Sequence, residues 1–579
     1  MGTARFFRLS IGPHEEPKAR MTKLSDPHWY SDIEAPLQVC ESDTLDWSMV
    51  ADVVVIGAGC SGICASIEAA DRGARVICID RFGGGGATTL SGGVVYAAAT
   101  KIQKNAQIED SIEDAFRYLK IETGDVVSDE TLRSFCRQSA PNLEWLMRLG
   151  VVFGERVFEG KASYPPDGYF LYFSGNETSK PYCDQARPAQ RGHRTLGKGR
   201  SGSAFYAALK SALRSHRNIH FVTHCPVRRL VIGLEGEILG VEVLAVSRVC
   251  LSFHRWLEAL FTKTPIWNLS RGLPTVLRRT MAWLESQGSR RKLFKAANGV
   301  ILATGGFAHN RSMVAHYAPH LKAYTPLASA GTDGSGIRLG QTVGGQTSRL
   351  DNFDMGRHIA VSEPYVRGVI VNQSGKRFIG EDQYHATIGE KIALEQDGVA
   401  WIILDAALYQ EAFRRALSFR GKKLAVWLNG VLALLGGLKK SETLAGLAKA
   451  CKLPAPNLEA TIAEYDQIAR GQKEDTWGKR LKLLSSLGQG PYYAVNISSN
   501  NRFSPVGAFS LGGLMVDEAT GAVLGPGDKP IPGLYAVGRD AIGIPSNRYV
   551  SGTSLADCVF SGRRAGAAVA SGQRSSQGV

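Results

Sequence analysis

Hydrophobic residues in this chain form short continuous runs separated by glycine turns and helix-like stretches. The clearest run, residues 53–56, contains four β-branched residues and is typical of a strand buried in a parallel sheet. A glycine turn, a helix-like stretch over residues 63–72 and a second apolar run over residues 75–79 follow it. Asp80 comes directly after the second run. This order predicts a β-α-β unit of an α/β domain.

Later apolar runs extend the same pattern along the chain. The predicted strands occupy residues 219–223, 229–232, 238–244 and 299–303. A hairpin turn is expected at Glu235 and Gly236, between the second and third of these strands. A last strand at residues 533–538 lies near the C-terminus and precedes a helix-like segment over residues 554–570. The pattern therefore predicts one α/β domain that is interrupted by an inserted α+β domain before its final strand.

The predicted domain boundaries follow from these elements. Residues 1–45 are polar and without period, and we expect them to form an extended N-terminal arm. Residues 46–345 are assigned to the first part of the α/β domain, which includes a basic amphipathic insertion at residues 247–295. Residues 346–526 are assigned to the inserted catalytic domain, and residues 527–579 to the second part of the α/β domain.

Composition narrows the class of protein. The 579 residues are 44% hydrophobic and 21% charged, which excludes a chain that is disordered throughout. Ten cysteines are too few for a disulfide scaffold, and they are expected to be reduced. The N-terminus has no apolar core of secretory-signal length, and the longest apolar stretch, residues 425–438, is too short for an ordinary spanning helix.

Three glycines follow the first strand with the spacing of a dinucleotide-binding turn. Gly57 permits a tight turn, Gly59 lets a pyrophosphate approach the backbone, and Gly62 lets helix and strand pack closely. The start of the next helix would supply N–H donors to the phosphates. Asp80 lies 23 residues after Gly57 and would accept ribose hydroxyls. This fingerprint predicts a Rossmann-like site but does not distinguish NAD from FAD.

Further motifs favour FAD. Residues 83–93 form a long loop of glycine and hydroxyl residues, residues 303–307 read Ala-Thr-Gly-Gly-Phe, and residues 331–336 contain a Gly-Thr-Asp-Gly turn. Gly-Lys-Arg-Phe at residues 375–378 and the closing strand at residues 531–538 follow in order. Together these motifs resemble those of the fumarate reductase and ketosteroid dehydrogenase flavoprotein superfamily. The resemblance implies a glutathione-reductase-like FAD-binding domain with an inserted α+β catalytic domain.

The resemblance also implies the cofactor contacts. FAD is expected to bind noncovalently, because threonines stand where histidine-linked members carry a histidine, and no metal site is expected. The residues expected to contact FAD are Gly57, Gly59, Ser61, Gly62, Asp80, Arg81, Ala87, Thr88, Thr89, Ser91, Gly92, Gly93, Val227, Thr304, Gly305, Asp333, Gly538, Arg539, Ser554 and Leu555.

The catalytic residues are expected near the final helix. Fumarate reductase-like members carry His-Gly-x-Asn-Arg there, and this chain lacks the His-Gly. The Tyr-x-Ser-Gly-x-Ser-Leu-Ala-Asp motif that begins at Tyr549 resembles 3-ketosteroid Δ4-(5α)-dehydrogenases, as does the Glu-Asp-x-Tyr that ends at Tyr384. The resemblance implies that Tyr549 removes a proton from C4 while C5 gives a hydride to flavin N5. Tyr384 and Ser551 would assist Tyr549, whose ordinary pKa near ~10 is high for a base.

Two other enzymatic activities remain open, a 3-ketosteroid Δ1-dehydrogenase and a fumarate reductase-like enoate reductase. A non-enzymatic alternative is a membrane-associated protein that merely binds flavin. The expected partners are a steroid substrate and a quinone or other electron acceptor.

The insertion at residues 247–295 has its own chemistry. It contains ten Lys and Arg and two Glu, so its charge is 10 − 2 = +8 of the chain's +15. Phe253, Trp256, Leu257, Leu260 and Phe261 fall on one face of a helix, and Leu273, Val276, Leu277, Thr280 and Leu284 nearly repeat that stripe. Arg255, Lys263, Arg278 and Arg279 can occupy the other faces of the helices or snorkel. This composition predicts an interfacial anchor for an anionic membrane.

The location expected from this anchor is cytoplasmic, peripheral on the inner face of the membrane. Deleting residues 252–292 is expected to leave FAD bound. The alternative is a helical hairpin packed on its own domain or on a dimer partner, and nucleic acid is not expected as a partner because no binding motif accompanies the charge.

Overall fold

The structure is a computed structural model that describes residues 33–40, 45–160, 164–263, 273–321, 324–357, 363–417, 437–499, 501 and 506–572. Most of the predicted N-terminal arm and of the apolar stretch at residues 425–438 lie outside the described residues. Within the described residues, no helix is long and apolar enough to cross a membrane.

The elements alternate between strands and helices along the first half of the chain. Its strands are β1 (Leu37–Gln38), β2 (Met49–Ile56), β3 (Val76–Ile79), β4 (Val94–Tyr96), β5 (Val157–Phe158), β6 (Leu171–Tyr172), β7 (Gly192–Arg194), β8 (Ile219–Val222), β9 (Val227–Ile232), β10 (Ile238–Val246) and β11 (Ser289–Leu302). Its helices are α1 (Cys60–Asp71), α2 (Gly86–Leu90), α3 (Lys101–Asn105), α4 (Ile112–Thr123), α5 (Asp129–Arg148), α6 (Tyr182–Gln185), α7 (Gly202–Ser215), α8 (Arg248–Lys263) and α9 (Leu273–Gln287).

The second half contains smaller sheets and ends on a long helix. Its strands are β12 (Tyr324–Pro326), β13 (Thr347–Ser348), β14 (Phe353–Gly356), β15 (Val369–Val371), β16 (Trp401–Asp405), β17 (Lys439–Ser441), β18 (Tyr492–Asn496), β19 (Val506–Ser510), β20 (Gly513–Leu514), β21 (Ala522–Leu524) and β22 (Pro530–Ala536). Its helices are α10 (Arg311–Tyr317), α11 (Ser335–Thr342), α12 (Glu363–Arg367), α13 (His385–Glu395), α14 (Ala406–Leu417), α15 (Leu444–Cys451), α16 (Ala455–Ala469) and α17 (Thr553–Ala570).

One large sheet organises the molecule. In its parallel part the strand order is β22-β11-β2-β3-β8. Strand β11 also pairs antiparallel with β10, and β10 pairs antiparallel with β9, so these two strands extend the sheet. Although β22 is far from β11 in sequence, Val300 to Leu302 pair with Leu534 to Ala536. The predicted Rossmann-like α/β fold is confirmed by this parallel sheet.

The core explains why residues 53–56 of β2 form a continuous apolar run. Val53 and Val55 pack with α1 and α17 on one face of the sheet, whereas Val54 and Ile56 pack with β9, β10 and β11 residues on the other. Both faces of residues 53–56 are therefore buried, and none of these four positions favours a polar residue.

The inserted part of the chain has a separate core and a sheet that reaches the active site. Strands β15-β16-β18-β17 form a four-stranded sheet whose side chains pack against α13, α15 and α16. A smaller sheet, β12-β19-β14, is built from strands on both sides of this sheet in the sequence: β12 and β14 precede β15, and β19 follows β18. It carries Asp354 on β14 and Phe509 on β19, which pair across the ladder.

Three predicted boundaries differ from the structure. Residues 289–295 belong to β11, whose first half pairs with β10 from Gly240 to Val246, so the insertion ends at residue 288 rather than 295. Strand β1 pairs with β9, which places residues 37–38 of the predicted arm in the large sheet. Strand β21 pairs with β22, although it falls within the predicted catalytic domain. Each difference comes from strand pairing that short apolar runs do not reveal.

The insertion forms two packed helices, α8 and α9, which we call the helix pair. Leu257, Phe261, Leu277, Met281 and Leu284 are buried between the helix pair and Phe82 and Ala330. Phe253, Trp256, Val276 and Trp283 are exposed on the opposite, outer face, with Val249 and Leu273. The predicted single apolar stripe is therefore divided between two faces. Arg278 does not snorkel, because it is buried and hydrogen-bonded to His309.

Candidate active site

An open cleft, about 850 Å³ when the solvent space at its mouth is included, lies at the carboxyl ends of β2, β3 and β11. This edge of a parallel sheet is where α/β proteins bind ligands. Gly57 has a φ of +108°, and a Cβ there would lie 2.3 Å from the carbonyl oxygen of Ala303. A Cβ on Gly62 would lie 1.8 Å from the carbonyl oxygen of Gly57. Both positions therefore require glycine, as the dinucleotide turn predicts.

The turn leaves its backbone open towards the cleft. A Cβ added to Gly59 would meet only the Thr88 hydroxyl, at 3.7 Å. That hydroxyl accepts a hydrogen bond of 3.0 Å from the backbone N–H of Cys60, at the start of α1. Backbone space and a helix N-terminus in one place fit the pyrophosphate of FAD.

Asp80 stands at the end of β3, where a ribose would bind. Its carboxylate accepts hydrogen bonds of 2.8 Å from the backbone N–H groups of Ala58 and Phe82. Burial nevertheless raises the pKa of Asp80. Two fixed amides orient the carboxylate, and its remaining lone pairs suit ribose hydroxyl donors.

About half of the residues predicted to contact FAD line this cleft. They are Gly57, Gly59, Ser61, Asp80, Arg81, Ala87, Thr88, Val227, Thr304, Gly305 and Arg539. The others lie just outside its lining: Gly62 in α1, Thr89 in α2, Ser91, Gly92 and Gly93 after α2, Asp333 before α11, Gly538 after β22, and Ser554 and Leu555 in α17. Asp333 pairs with Arg81 at 3.2 Å and accepts from the Ser335 N–H at 2.9 Å.

Several residues of the site were not predicted from the sequence. Cys60, Cys225, Thr332, Ser335 and Cys558 also line the cleft. Asp540 lies behind it and accepts hydrogen bonds from both the backbone N–H and the hydroxyl of Thr304. Burial raises the pKa of Asp540 to about 7. The closing-strand motif at residues 531–538 is close enough in sequence to have pointed to Asp540. No sequence motif points to the cysteines.

Four hydroxyl groups meet near Arg539, at the far end of the cleft. The rings of Tyr384 and Tyr549 have centroids 6.3 Å apart, and the Ser551 side chain lies close enough to lower the pKa of both tyrosines. The fourth hydroxyl belongs to Tyr172, on β6, and lies 2.9 Å from Ser551 Oγ. The structure therefore brings together the three residues predicted as catalytic and adds Tyr172, which the sequence did not indicate.

The groups around Tyr549 shift its pKa in opposite directions. Burial and the nearby Asp354 raise the pKa of Tyr549 to about 12, whereas the neighbouring Gly552 backbone, the Ser551 side chain and the charge of Arg539 lower it. Burial and the neighbouring Glu390 raise the pKa of Asp354 to about 8, and among the described residues its Oδ1 has no hydrogen-bond partner. Tyr549 is thus mostly protonated at neutral pH, and Arg539 and Ser551 favour the small ionised fraction that can accept a proton.

Comparisons with known proteins agree with the cleft. The family model for the FAD binding domain matches residues 52–555. The chain is 36% identical over 516 residues to the 3-oxo-5-alpha-steroid 4-dehydrogenase of Comamonas testosteroni, covering 87% of this chain and 95% of that protein. It is 25% identical over 569 residues to the 3-oxosteroid 1-dehydrogenase of Mycolicibacterium smegmatis, covering 86% and 93%.

A solved structure shows the same fold. It is the 3-ketosteroid-delta4-(5alpha)-dehydrogenase of Rhodococcus jostii RHA1, in complex with 4-androstene-3,17-dione. The match has a TM-score of 0.76 and 29% identity, and it covers 93% of this chain and all of that one.

Proposed function

Because this chain belongs to the FAD-binding family of 3-ketosteroid dehydrogenases and fumarate reductases, we propose that it introduces the C4–C5 double bond into 3-keto-5α-steroids. It is an FAD-dependent oxidoreductase that acts on a CH–CH bond. The observation that carries the steroid proposal is the cluster of Tyr172, Tyr384, Tyr549 and Ser551 beside Arg539. Similarity to the Comamonas testosteroni 4-dehydrogenase over most of both chains supports the position of the new double bond.

The hydroxyl cluster suits proton removal next to a ketone. The C4 hydrogens of a 3-ketosteroid are acidified by the carbonyl at C3, so a weak base at the right distance suffices. In its ionised form Tyr549 accepts the C4 proton, and the neutral phenol that results lies beside Ser551, which is hydrogen-bonded to Tyr172. The charge of Arg539 favours this transfer because it lowers the pKa of Tyr549. FAD, when bound, supplies the acceptor for the hydride that leaves C5.

A fumarate reductase-like activity is less compatible with the site. Asn547 and Arg548 remain from the motif of those enzymes, but Arg548 donates hydrogen bonds of 2.8 and 3.0 Å to Glu390. Glu122 lies 3.6 Å from the same guanidinium. Glu390 and Glu122 therefore already offset the positive charge of Arg548, which a dicarboxylate substrate would need for binding.

Product analysis tests this proposal. The enzyme is incubated with 5α-androstane-3,17-dione and a dye acceptor, and the product is identified by mass spectrometry and NMR. We expect 4-androstene-3,17-dione. A Δ1 product would replace the proposed regiochemistry with that of the 1-dehydrogenases, and absence of turnover with any 3-ketosteroid would overturn the steroid proposal.

We also propose that the outer face of the helix pair binds an anionic membrane, which places the enzyme at the cytoplasmic surface of the membrane. Trp256 and Trp283 are 56% and 61% exposed, and Arg248, Arg255 and Arg279 are exposed on the same helices. Tryptophan beside cationic side chains is the composition of an interfacial helix, and each cation near an anionic surface contributes about 1 kcal/mol. A membrane location would supply the steroid and suits a quinone as electron acceptor.

Liposome sedimentation tests the membrane proposal. We expect the wild-type enzyme to sediment with phosphatidylglycerol vesicles at low salt and the double variant Trp256→Ser, Trp283→Ser to remain in solution. Leu481→Ser is the matched control, because Leu481 is 84% exposed on the catalytic domain. If wild-type and double variant behave alike, the outer face does not bind the membrane.

A further inference from the structure

The inner face of the helix pair contacts the loop that follows Asp80. Glu285 on α9 accepts hydrogen bonds of 2.8 Å from both Nε and Nη2 of Arg81. The Glu285 side chain is only 2% exposed, and Arg81 lines the cleft directly after the predicted ribose-binding acid. A bidentate Arg–carboxylate pair in a buried place fixes the orientation of the guanidinium.

The next two residues of this loop also contact the helix pair. The ring of Phe82 stacks on His254 of α8 with centroids 5.6 Å apart and packs in the same apolar cluster as Leu257. The backbone N–H of Gly83 donates to both carboxylate oxygens of Glu258, at 3.0 and 3.2 Å. Three successive residues after Asp80 are therefore held by the helix pair.

A second cleft loop is joined to the same surface. Gly331 and Thr332 line the cleft, and the neighbouring Ala330 packs with the inner face of the helix pair. Asp333 contacts Arg81 at 3.2 Å, so the two loops share the guanidinium that Glu285 holds. The helix pair thus bridges both sides of the cleft at its Asp80 end.

We propose that Glu285 and Glu258 are positioning residues for the adenosine end of FAD, so that the helix pair holds the cofactor site closed from its inner face. The two residues are the only acids of the insertion, and both are used on the loop after Asp80. The expectation that residues 252–292 can be deleted without loss of FAD does not fit these contacts. This role depends on FAD binding and on neither the steroid nor the membrane.

FAD release from the full-length holoenzyme tests the proposal. Holoenzyme is diluted, and the flavin fluorescence that returns on release gives the Kd and the dissociation rate. Glu285→Gln removes a charged partner from two hydrogen bonds, and we expect its Kd for FAD to rise about 10- to 100-fold. Glu258→Gln should raise the Kd by a smaller factor, because it contacts a backbone amide.

Two further variants make the result decisive. In Arg81→Met, addition of Glu285→Gln should change the Kd by less than threefold, because Glu285 acts through Arg81. Trp256→Ser on the outer face should retain the wild-type Kd. The proposal is overturned if Glu285→Gln, folded by circular dichroism, keeps a Kd within twofold of wild type, or if its effect persists in Arg81→Met. Loss of liposome binding with an unchanged Kd in Trp256→Ser would separate the membrane role from this one.

Discussion

At the scale of single residues, the active site depends on a tyrosine whose pKa is raised rather than lowered. Tyr549 has a pKa of about 12, so an isolated tyrosinate is a rare species at neutral pH. Ser551, which is hydrogen-bonded to Tyr172, and Arg539 both lower this pKa and so favour the ionised phenol that accepts the C4 proton. The proposed base therefore depends on these neighbours for its ionisation.

Replacement of Tyr549 tests that dependence. Tyr549→Phe should lower kcat with a 3-ketosteroid by about 10²- to 10⁴-fold, since general acid–base groups contribute on that order. The flavin absorbance should be unchanged, because the phenol does not line the cleft at the predicted phosphate and ribose positions. Turnover near the wild-type rate would exclude Tyr549 as the base.

Tyr172 offers a graded comparison at the same site. It touches Ser551 and lies one hydroxyl further from Tyr549, so Tyr172→Phe should reduce kcat by roughly tenfold, about the value of one hydrogen bond, with little change in KM. The pH profile of kcat should shift as well, since the hydroxyl chain sets the ionisation of Tyr549. An unchanged profile would limit Tyr172 to packing.

Asp354 predicts a pH dependence of stability. Its folded pKa of about 8 lies above its ordinary value of 3.8, so the folded state holds a proton that the unfolded state releases. The free energy of unfolding therefore falls as pH rises between these two values. Asp354→Asn should raise Tm, and by more at pH 8.5 than at pH 5, with a gain of about 1 kcal/mol or more. Equal gains at both pH values, by calorimetry, would contradict the raised pKa.

At the scale of elements, α2 bears on how the cofactor is held. It begins at Gly86 and contains Thr88 and Thr89, and no histidine lines the cleft among the described residues. We therefore expect FAD to be noncovalent. Acid precipitation should leave the yellow chromophore in the supernatant, whereas colour retained in the pellet would show a covalent link.

The elements also show what a sequence pattern can and cannot predict. Residues 53–56, Gly57 and Gly62 specify β2 and the start of α1 because each needs one residue type for a local reason, either burial on both faces or absence of a Cβ. The amphipathic pattern predicted the helices α8 and α9, but it did not predict which of their apolar residues pack against the protein and which are exposed. Leu257 and Trp256 are neighbours in sequence with the same hydrophobicity signal, yet one is buried and the other exposed.

The unpredicted site residues have the same explanation. Glu285 lies 204 residues from Arg81, and Tyr172 lies 379 residues from Ser551. Neither belongs to a local motif, so only the folded chain brings them to the site. Motif-based assignment found the residues whose roles depend on their immediate neighbours.

At the scale of the whole molecule, β11 connects distant parts. It leaves the helix pair at Ser289, pairs with β10, then with β2 and β22, and ends beside Thr304 at the cleft. One strand thus joins the surface proposed to bind the membrane to the cofactor site and to the C-terminal segment of the chain.

The register of β10 and β11 makes the insertion exchangeable. Their ladder ends at the pair Val246 and Ser289, so residues 247–288 leave and re-enter the sheet at neighbouring positions. Replacing those residues by Asn-Gly would close a two-residue hairpin. The shorter loop lowers the entropic free-energy cost of bringing the two strands together by about 3 kcal/mol. Such a chain should keep its far-ultraviolet circular dichroism in the sheet region while binding FAD weakly. The end of the β10–β11 hairpin is therefore a site at which another helical module could be inserted. Such a module would have to supply two carboxylates to the loop after Asp80, and its outer side could carry a different binding surface.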